Sequence, residues 1–251
     1  DGGVFISKED RDIANEIQKV LEENGVSFIF SAKTYKIDGA DVYYKKEEND
    51  FILNGDAVLI ATGRRPNTDG LCADKAGVEL TARGAVKVDD GLKTTASNIW
   101  AMGDVCGSLQ FTYVSLDDCR IVLSQLNKGE ERKLSSRRNV PYSVFISPSF
   151  SRVGLSEKEA LEKGYKIKVA KLPAAAVPKA QVLKQTSGLL KAVIDADTDK
   201  VLGAMLFCEE SYEMINIVKL AMDMEADYRV LRDNIYTHPT MSEALNDLFA
   251  V

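Results

Sequence analysis

Histidine is nearly absent from this 251-residue sequence. His238 is the single one, and the four cysteines form no Cys-x-x-Cys or other closely spaced pair. Zinc sites are built from clustered histidine and cysteine ligands, so this composition argues against a metal centre. Separate cysteines in a chain of this length are also typical of a reducing compartment, and we expect a cytoplasmic protein.

Long apolar runs and a basic surface pattern are absent as well. No stretch approaches the roughly 20 apolar residues of a membrane helix, and the start of the sequence does not look like a signal peptide. Lysine and arginine number 32 against 38 acidic residues, a formal net charge of -6. Because nucleic-acid-binding domains carry a basic patch, we expect neither a membrane nor a nucleic-acid partner.

The first half of the sequence is typical of an α/β region. Residues 4–30 predict a strand, a helix and a strand, from a helical apolar period between two short apolar runs. Residues 56–61 predict a strand buried on both faces, and residues 98–104 predict another buried strand. A helix is predicted at about 113–127. The charged, serine-rich residues 128–139 are interpreted as a linker.

The second half has a different pattern. Strand-like segments follow in series at residues 140–146, 166–172, 189–194 and 201–207. Ser156 and Glu159 form a capping box at the start of a predicted helix, and further helices are predicted at 211–224 and near 242–249. Strands followed by helices predict an α+β domain built on an antiparallel sheet with flanking helices.

Two glycine-containing segments are candidate ligand sites. Gly103 and Asp104 end a predicted strand, at the edge where α/β sheets bind ligands, and the carboxylate can accept hydrogen bonds from sugar-like hydroxyls. Gly63 permits close approach of a cofactor to the backbone, with Arg64 near its phosphates. Taken alone, either segment also fits an ordinary turn.

His238 is the side chain best suited to move protons near neutral pH. Glu243 follows five positions later and can orient the imidazole. Thr240 and Glu243 are also spaced as a capping box, in which the glutamate caps the last helix. Both roles coexist if Glu243 starts the helix while its carboxylate turns to the imidazole.

Four motifs in this order resemble the class I pyridine nucleotide-disulfide oxidoreductases, which include glutathione reductase, dihydrolipoamide dehydrogenase and mercuric reductase. They are Ala61-Thr62-Gly63-Arg64-Arg65-Pro66-Asn67, residues 94–104, residues 140–155 and His238-Pro239-Thr240-Met241-Ser242-Glu243. Gln110-Phe111-Thr112-Tyr113 and the tail 242–249 are most similar to mercuric-reductase-like members linked to resistance to reactive chlorine or hypothiocyanous acid. The resemblance implies three parts: residues 1–60 as the end of an NAD(P)-binding domain, 61–135 as the second segment of an FAD-binding domain, and 136–251 as a dimerisation domain.

The resemblance also implies a cofactor site. FAD is the expected cofactor, NAD(P)H the electron donor and a small molecule the substrate. Asp104 matches the carboxylate that holds the flavin ribityl chain, and Thr112 matches a residue whose backbone N–H meets the pyrimidine ring. Gly63, Arg64 and Gly103 lie in the matching FAD-binding stretches.

A catalytic dyad is implied at the other end of the chain. His238 matches the general acid/base that reaches the active site of the partner subunit, in a homodimer formed through residues 136–251. Glu243 would orient it. The His238–Pro239 peptide is expected to be cis, a geometry that proline makes accessible.

Two parts of the family's chemistry are missing. The sequence has neither the Cys-x-x-x-x-Cys pair nor a Gly-x-Gly-x-x-Gly loop. We therefore expect the C-terminal portion of a longer enzyme that passes hydride from NAD(P)H through FAD to a cysteine pair. The alternative is a catalytically silent dimerisation module without flavin, because thiol–disulfide exchange requires the missing pair.

Overall fold

The computed structural model describes residues 3–127 and 132–251. The α-helices are α1 (Arg11–Glu23), α2 (Thr112–Leu126), α3 (Glu157–Glu162), α4 (Pro178–Leu183), α5 (Ser211–Asp223), α6 (Arg229–Arg232) and α7 (Ala244–Leu248). The strands are β1 (Ala32–Asp38), β2 (Asp41–Lys46), β3 (Asn49–Asn54), β4 (Tyr142–Val144), β5 (Phe150–Gly154), β6 (Ile167–Pro173), β7 (Leu189–Asp195) and β8 (Val201–Phe207). None of the helices in the described ranges has the length and apolar character needed to cross a bilayer.

The chain divides into two compact units. One contains Asp1–Val58 and Asn139–Val251, and the other is Leu59–Arg138. The division of the sequence near residues 60 and 135 into three domains stays a prediction, since residues 1–58 are grouped here with the C-terminal part.

An antiparallel sheet of order β4-β5-β8-β7-β6 is the centre of the first unit. In β7, Leu190, Ala192 and Ile194 lie in one apolar cluster with residues of α5 and α7, whereas Val193 lies in a second cluster. Alternate residues of a strand point to opposite faces, so the sheet is covered on both sides. The predicted antiparallel sheet with flanking helices is confirmed. A separate three-stranded antiparallel sheet has the order β1-β2-β3.

Helix α1 covers the second face of the large sheet. Ile13, Ile17 and Val20 form a buried stripe at helical spacing and belong to the same cluster as Met205 and Phe207 of β8. Full burial of one such aliphatic side chain stabilises a fold by roughly 1.5–3 kcal/mol. The apolar stripe therefore attaches α1 to the sheet.

Lys191 of β7 adds an electrostatic attachment on the same face. Its side chain is 1% exposed, and its Nζ lies 2.9 Å from Asp10 Oδ2, 3.0 Å from Asp12 Oδ2 and 2.6 Å from Glu157 Oε2. Asp10 also accepts the backbone N–H of Glu157, at 2.9 Å, at the start of α3. Burial alone would lower the pKa of Lys191, but the hydrogen bonds to the carboxylates outweigh it and raise that pKa. The ammonium thus joins β7, α1 and α3.

Several predicted strands are wrong. Residues 4–6 and 26–30 flank α1 but form no strand; instead the rings of Phe5 and Phe28 pack with centroids 4.9 Å apart. Residues 56–61 are not a strand either, and Leu59 and Ile60 are exposed. A strand buried on both faces needs neighbouring strands, and within residues 3–127 and 132–251 nothing pairs with this segment.

Residues 98–104 make only one isolated bridge, between Trp100 and Lys93, and Ile99 is exposed. The extended run ends because Gly103, with φ +77°, turns the backbone into the 3-10 helix Gly103–Cys106. Local apolarity therefore predicted a buried strand where the structure has a turn.

We expect Lys191→Met to lower the free energy of unfolding by about 3–5 kcal/mol, because three carboxylates would then surround an apolar side chain. Urea denaturation followed by circular dichroism at pH 7 measures it. Lys200→Met is the matched control, since Lys200 makes an exposed pair with Glu225 and its loss costs about 1 kcal/mol or less. Equal losses in the two variants would contradict the assignment.

Candidate functional site

The second unit brings Arg64 to Asp104. Arg64 Nη1 lies 3.6 Å from Asp104 Oδ2, and Arg64 Nη2 donates to the carbonyl of Gln110 at 3.1 Å. The two charged side chains are 62% and 49% exposed. An exposed pair of this kind contributes only about 0–1 kcal/mol to stability. The pair matters for chemistry instead, because it holds the Asp104 carboxylate near a cation while leaving it accessible to a ligand.

Backbone geometry explains the glycines beside these residues. Gly103 has φ +77°, a conformation that other residues adopt only with strain, and a Cβ there would also make a tight 3.0 Å contact with Ser115 Oγ on α2. Gly63 has φ +119° with open space around it, so its requirement is conformational only. Gly103 was predicted to let a ligand approach; in the structure its bare Cα also lets the backbone approach α2.

Thr112 is the first residue of α2 and is exposed. The first turn of this helix contains no acidic residue, and Phe111, at the N-cap position, has a side chain that cannot accept a hydrogen bond. The positive end of the helix dipole is therefore available to a negatively charged group.

Asp118 is a component that the sequence analysis missed. It is fully buried on α2, on the same face as Val114 and Ile121. Its Oδ2 accepts the backbone N–H of Gly103 at 2.8 Å, and its Oδ1 pairs with Arg137. A carboxylate inside an apolar helical stripe is the signal that would have identified it.

The arginines that follow α2 are anchored. Arg137 Nε lies 2.7 Å from Asp117 Oδ2, and Arg132 also pairs with Asp117. Burial raises the pKa of Asp117, but hydrogen bonds from Arg137 and Arg132 outweigh it and hold that pKa below its ordinary value. Residues 128–131 of the predicted linker lie outside the described residues. The part from Arg132 to Arg138 belongs to the second unit, and the first unit resumes at Asn139, within the predicted linker.

The cysteines are free thiols wherever the structure describes them, and all four are described. Burial, together with the charge of Asp118, raises the pKa of Cys106 to about 11, and burial raises that of Cys208 to about 12. Both are therefore protonated near neutral pH and are poor nucleophiles. Within residues 3–127 and 132–251, no cluster of histidine, cysteine and acidic side chains could hold a metal ion.

His238 and Glu243 are in direct contact in the first unit. His238 Nδ1 lies 2.7 Å from Glu243 Oε2, while Glu243 Oε1 accepts the N–H of Thr240 at 3.3 Å. The N–H of Glu243 donates to Thr240 Oγ1 at 3.4 Å, so the reciprocal Thr240–Glu243 bonds and the histidine contact coexist, as one of the sequence interpretations proposed, although α7 begins at Ala244 with Glu243 itself as the N-cap residue. The His238–Pro239 peptide is cis. His238 is 68% exposed and Glu243 only 16%, so a fixed carboxylate supports an accessible imidazole.

The segment around the dyad is anchored to the apolar core. Met241, Leu245 and Phe249 are buried in the main apolar cluster. Asn246 Nδ2 donates to the carbonyls of Arg232, at 2.6 Å, and Asn234, at 2.9 Å. The position of Glu243 is therefore set by the core as well as by its cap.

Two family models match this chain. The model described as pyridine nucleotide-disulphide oxidoreductase matches residues 3–119, and the model of the dimerisation domain of the same family matches residues 140–249. The chain belongs to the pyridine nucleotide-disulphide oxidoreductase family. The fold and the family inferred from the four sequence motifs are thus confirmed.

Relatives of this family match the chain along nearly its whole length. It is 50% identical over 248 residues to the probable pyridine nucleotide-disulfide oxidoreductase RclA of Escherichia coli (strain K12), covering 99% of this chain and 56% of the relative. It is 37% identical over 246 residues to a mercuric reductase of Bacillus cereus, covering 96% and 39%. The solved structure of the HOCl-induced flavoprotein disulfide reductase RclA from Escherichia coli matches with a TM-score of 0.94 at 49% identity, covering 100% and 57%. The chain thus spans about half the length of the relatives it matches.

We expect Glu243→Ala to lower the free energy of unfolding by about 1 kcal/mol, because it removes the acceptor that caps the Thr240 N–H. Glu243→Gln keeps a carbonyl acceptor, so its decrease in the free energy of unfolding should be less than half that of Glu243→Ala. Urea denaturation measures both. The control is Glu162→Ala, at an exposed pair with Lys158. A loss with Glu243→Ala no larger than the control's would show that the cap contributes nothing.

Proposed function

We propose that this chain is the dyad-bearing and dimerising portion of a homodimeric, cytoplasmic FAD-dependent oxidoreductase of the NAD(P)H:disulfide type. The observation that carries the proposal is the 2.7 Å contact between His238 Nδ1 and Glu243 Oε2 in a chain of this family. RclA of Escherichia coli is a flavoprotein disulfide reductase, and this supports the same class of reaction here.

The residues around Asp104 fit a bound FAD. The accessible carboxylate of Asp104 suits the ribityl hydroxyls, and the start of α2 at Thr112 suits the electron-rich edge of the ring. Arg64 offsets the negative charge of Asp104. FAD, when bound, supplies the relay of electrons from NAD(P)H to a cysteine pair. This chain does not contain that pair, so alone it offers a dimerisation module and not thiol–disulfide exchange.

The dyad would transfer protons. Contact of the imidazole Nδ1 with the Glu243 carboxylate favours the tautomer that carries its proton on Nδ1. The other nitrogen, Nε2, is then the atom that accepts a proton from a thiol and returns it. His238 is exposed, as a side chain must be if it is to exchange a proton with a thiol of another subunit.

In the whole, flavin-loaded protein, His238→Gln should lower kcat by roughly 10²–10⁴-fold, the usual contribution of a general acid/base, with the flavin absorbance per subunit unchanged. Steady-state kinetics and the visible spectrum measure the two effects. Glu243→Gln is the graded comparison and should lower kcat by a smaller factor. An unchanged kcat in His238→Gln would refute the proton-transfer role, whereas a colourless wild-type protein would refute the FAD assignment.

The exposed apolar side chains of residues 140–249 support a dimer. They include Ile235, which is 96% exposed, and the exposed residues Phe145, Val182, Leu220 and Met224. Single exposed apolar side chains are common on protein surfaces, and these point to an interface because they lie within the residues that match a dimerisation domain. The match to a dimerisation domain makes a second copy of the chain the natural occupant.

Ile235→Asp should raise the dimer dissociation constant by at least about tenfold, roughly 1.4 kcal/mol, because it places a charge against an apolar partner surface. Sedimentation velocity over a concentration series measures it. Ile52→Asp is the matched control, since Ile52 is an exposed isoleucine on β3, outside the dimerisation-domain match. A wild-type chain that sediments as a monomer throughout would overturn the dimer, and equal constants for the two variants would exclude Ile235 from the interface.

A further inference from the structure

Asp118 is a fully buried carboxylate whose two oxygens have different partners. Oδ2 accepts the N–H of Gly103, and Oδ1 pairs with Arg137. We propose that Asp118 is a positioning residue for the flavin site: it fixes the Gly103 peptide and so sets the direction in which Asp104 presents its carboxylate. This inference rests on the proposed FAD site around Asp104.

The Gly103 backbone is held from two sides. Its N–H donates to a carboxylate at 2.8 Å, and hydrogen bonds to ionised acceptors are roughly twice as strong as neutral ones. Its Cα lies against Ser115, so closely that a Cβ would be 3.0 Å from the hydroxyl. This N–H belongs to the Met102–Gly103 peptide, and because Asp104 follows Gly103, rotation of that peptide would redirect it. The exposed contact with Arg64, at 3.6 Å, is too weak to do this alone.

Arg137 is the charged partner of the buried carboxylate. An ionised carboxylate without a partner is costly to bury, and the guanidinium of Arg137 meets both Asp118 and Asp117. Asp117 is the natural comparison, because it lies on the same helix and pairs with the same arginine. Its hydrogen bonds go to Arg132 and Arg137, whereas the Gly103 N–H is bonded to Asp118.

The test compares Asp118→Ala, Asp118→Asn and Asp117→Asn in the whole protein. For each, the FAD dissociation constant is measured by titration of the apoprotein, the flavin absorbance maximum by spectroscopy, and stability by urea denaturation. The exchange rate of the Gly103 amide is measured by hydrogen-exchange mass spectrometry. Asp118→Ala should raise the FAD dissociation constant at least about tenfold, shift the absorbance maximum and speed exchange at Gly103. Asp118→Asn keeps an oxygen acceptor but loses the charge, so its dissociation constant should lie between that of Asp118→Ala and that of Asp117→Asn, which should stay within twofold of wild type.

An Asp118→Ala protein that binds FAD within twofold of wild type would overturn the inference, as would an equal loss of affinity in Asp117→Asn. If Asp118→Ala does not fold, Asp118→Asn decides: a dissociation constant above that of Asp117→Asn supports the role, and an equal one refutes it. A wild-type protein that binds no FAD would refute the proposed function instead. The Gly103 exchange rate would then decide whether Asp118 fixes this peptide.

Discussion

A charge removed from water must be met by an opposite charge, and this constraint decides which distant segments of the chain come together. Lys191, Arg152 and Asp118 are all buried. Lys191 forms an ion pair with Asp10, and Arg152 forms one with Glu9 at 3.1 Å. Asp118 pairs with Arg137. Leaving such a charge unpaired costs several kcal/mol, an appreciable part of the stability of a domain. Among the described residues, every deeply buried side-chain nitrogen or oxygen has a hydrogen-bond partner.

The same constraint explains why the N-terminal residues group with the C-terminal sheet. Glu9 meets both Arg152 and the hydroxyl of Tyr142. Burial, and the negative charge of Glu9, raise the pKa of Tyr142 far above its ordinary value, so the phenol remains a donor. Arg152 also meets Glu159, which completes the capping box of α3. Ion pairs at the start of α1 and the apolar stripe along it therefore hold the helix on the sheet together.

Local patterns predicted the parts of the fold that depend on local physics. The apolar period predicted α1, α2 and α5, and the capping box of Ser156 and Glu159 is present. The dyad was predicted from the resemblance of residues 238–243 to a family motif, whereas the spacing alone also fitted a capping box. The strand prediction for residues 56–61 was wrong because a buried strand needs neighbouring strands, and the sequence of the segment does not show whether these exist. Asp118 was missed because its partners, Gly103 and Arg137, lie 15 and 19 residues away.

Each candidate site combines a buried carboxylate, which is fixed in position, with an exposed functional side chain close to it. At the dyad, Glu243 is mostly buried and accepts the Thr240 N–H, whereas His238 is exposed. At the other site, Asp118 is buried and accepts the N–H of Gly103, the residue before the exposed Asp104. A fully exposed acid would be screened and mobile, and a fully buried one would be unable to reach a ligand. The buried carboxylate forms strong hydrogen bonds in the low dielectric of the interior, and these hold the geometry of the site. The exposed group keeps the contact with water that exchange of a ligand or a proton requires. The arrangement therefore places the stabilising interactions behind each site and leaves its reactive atoms at the surface.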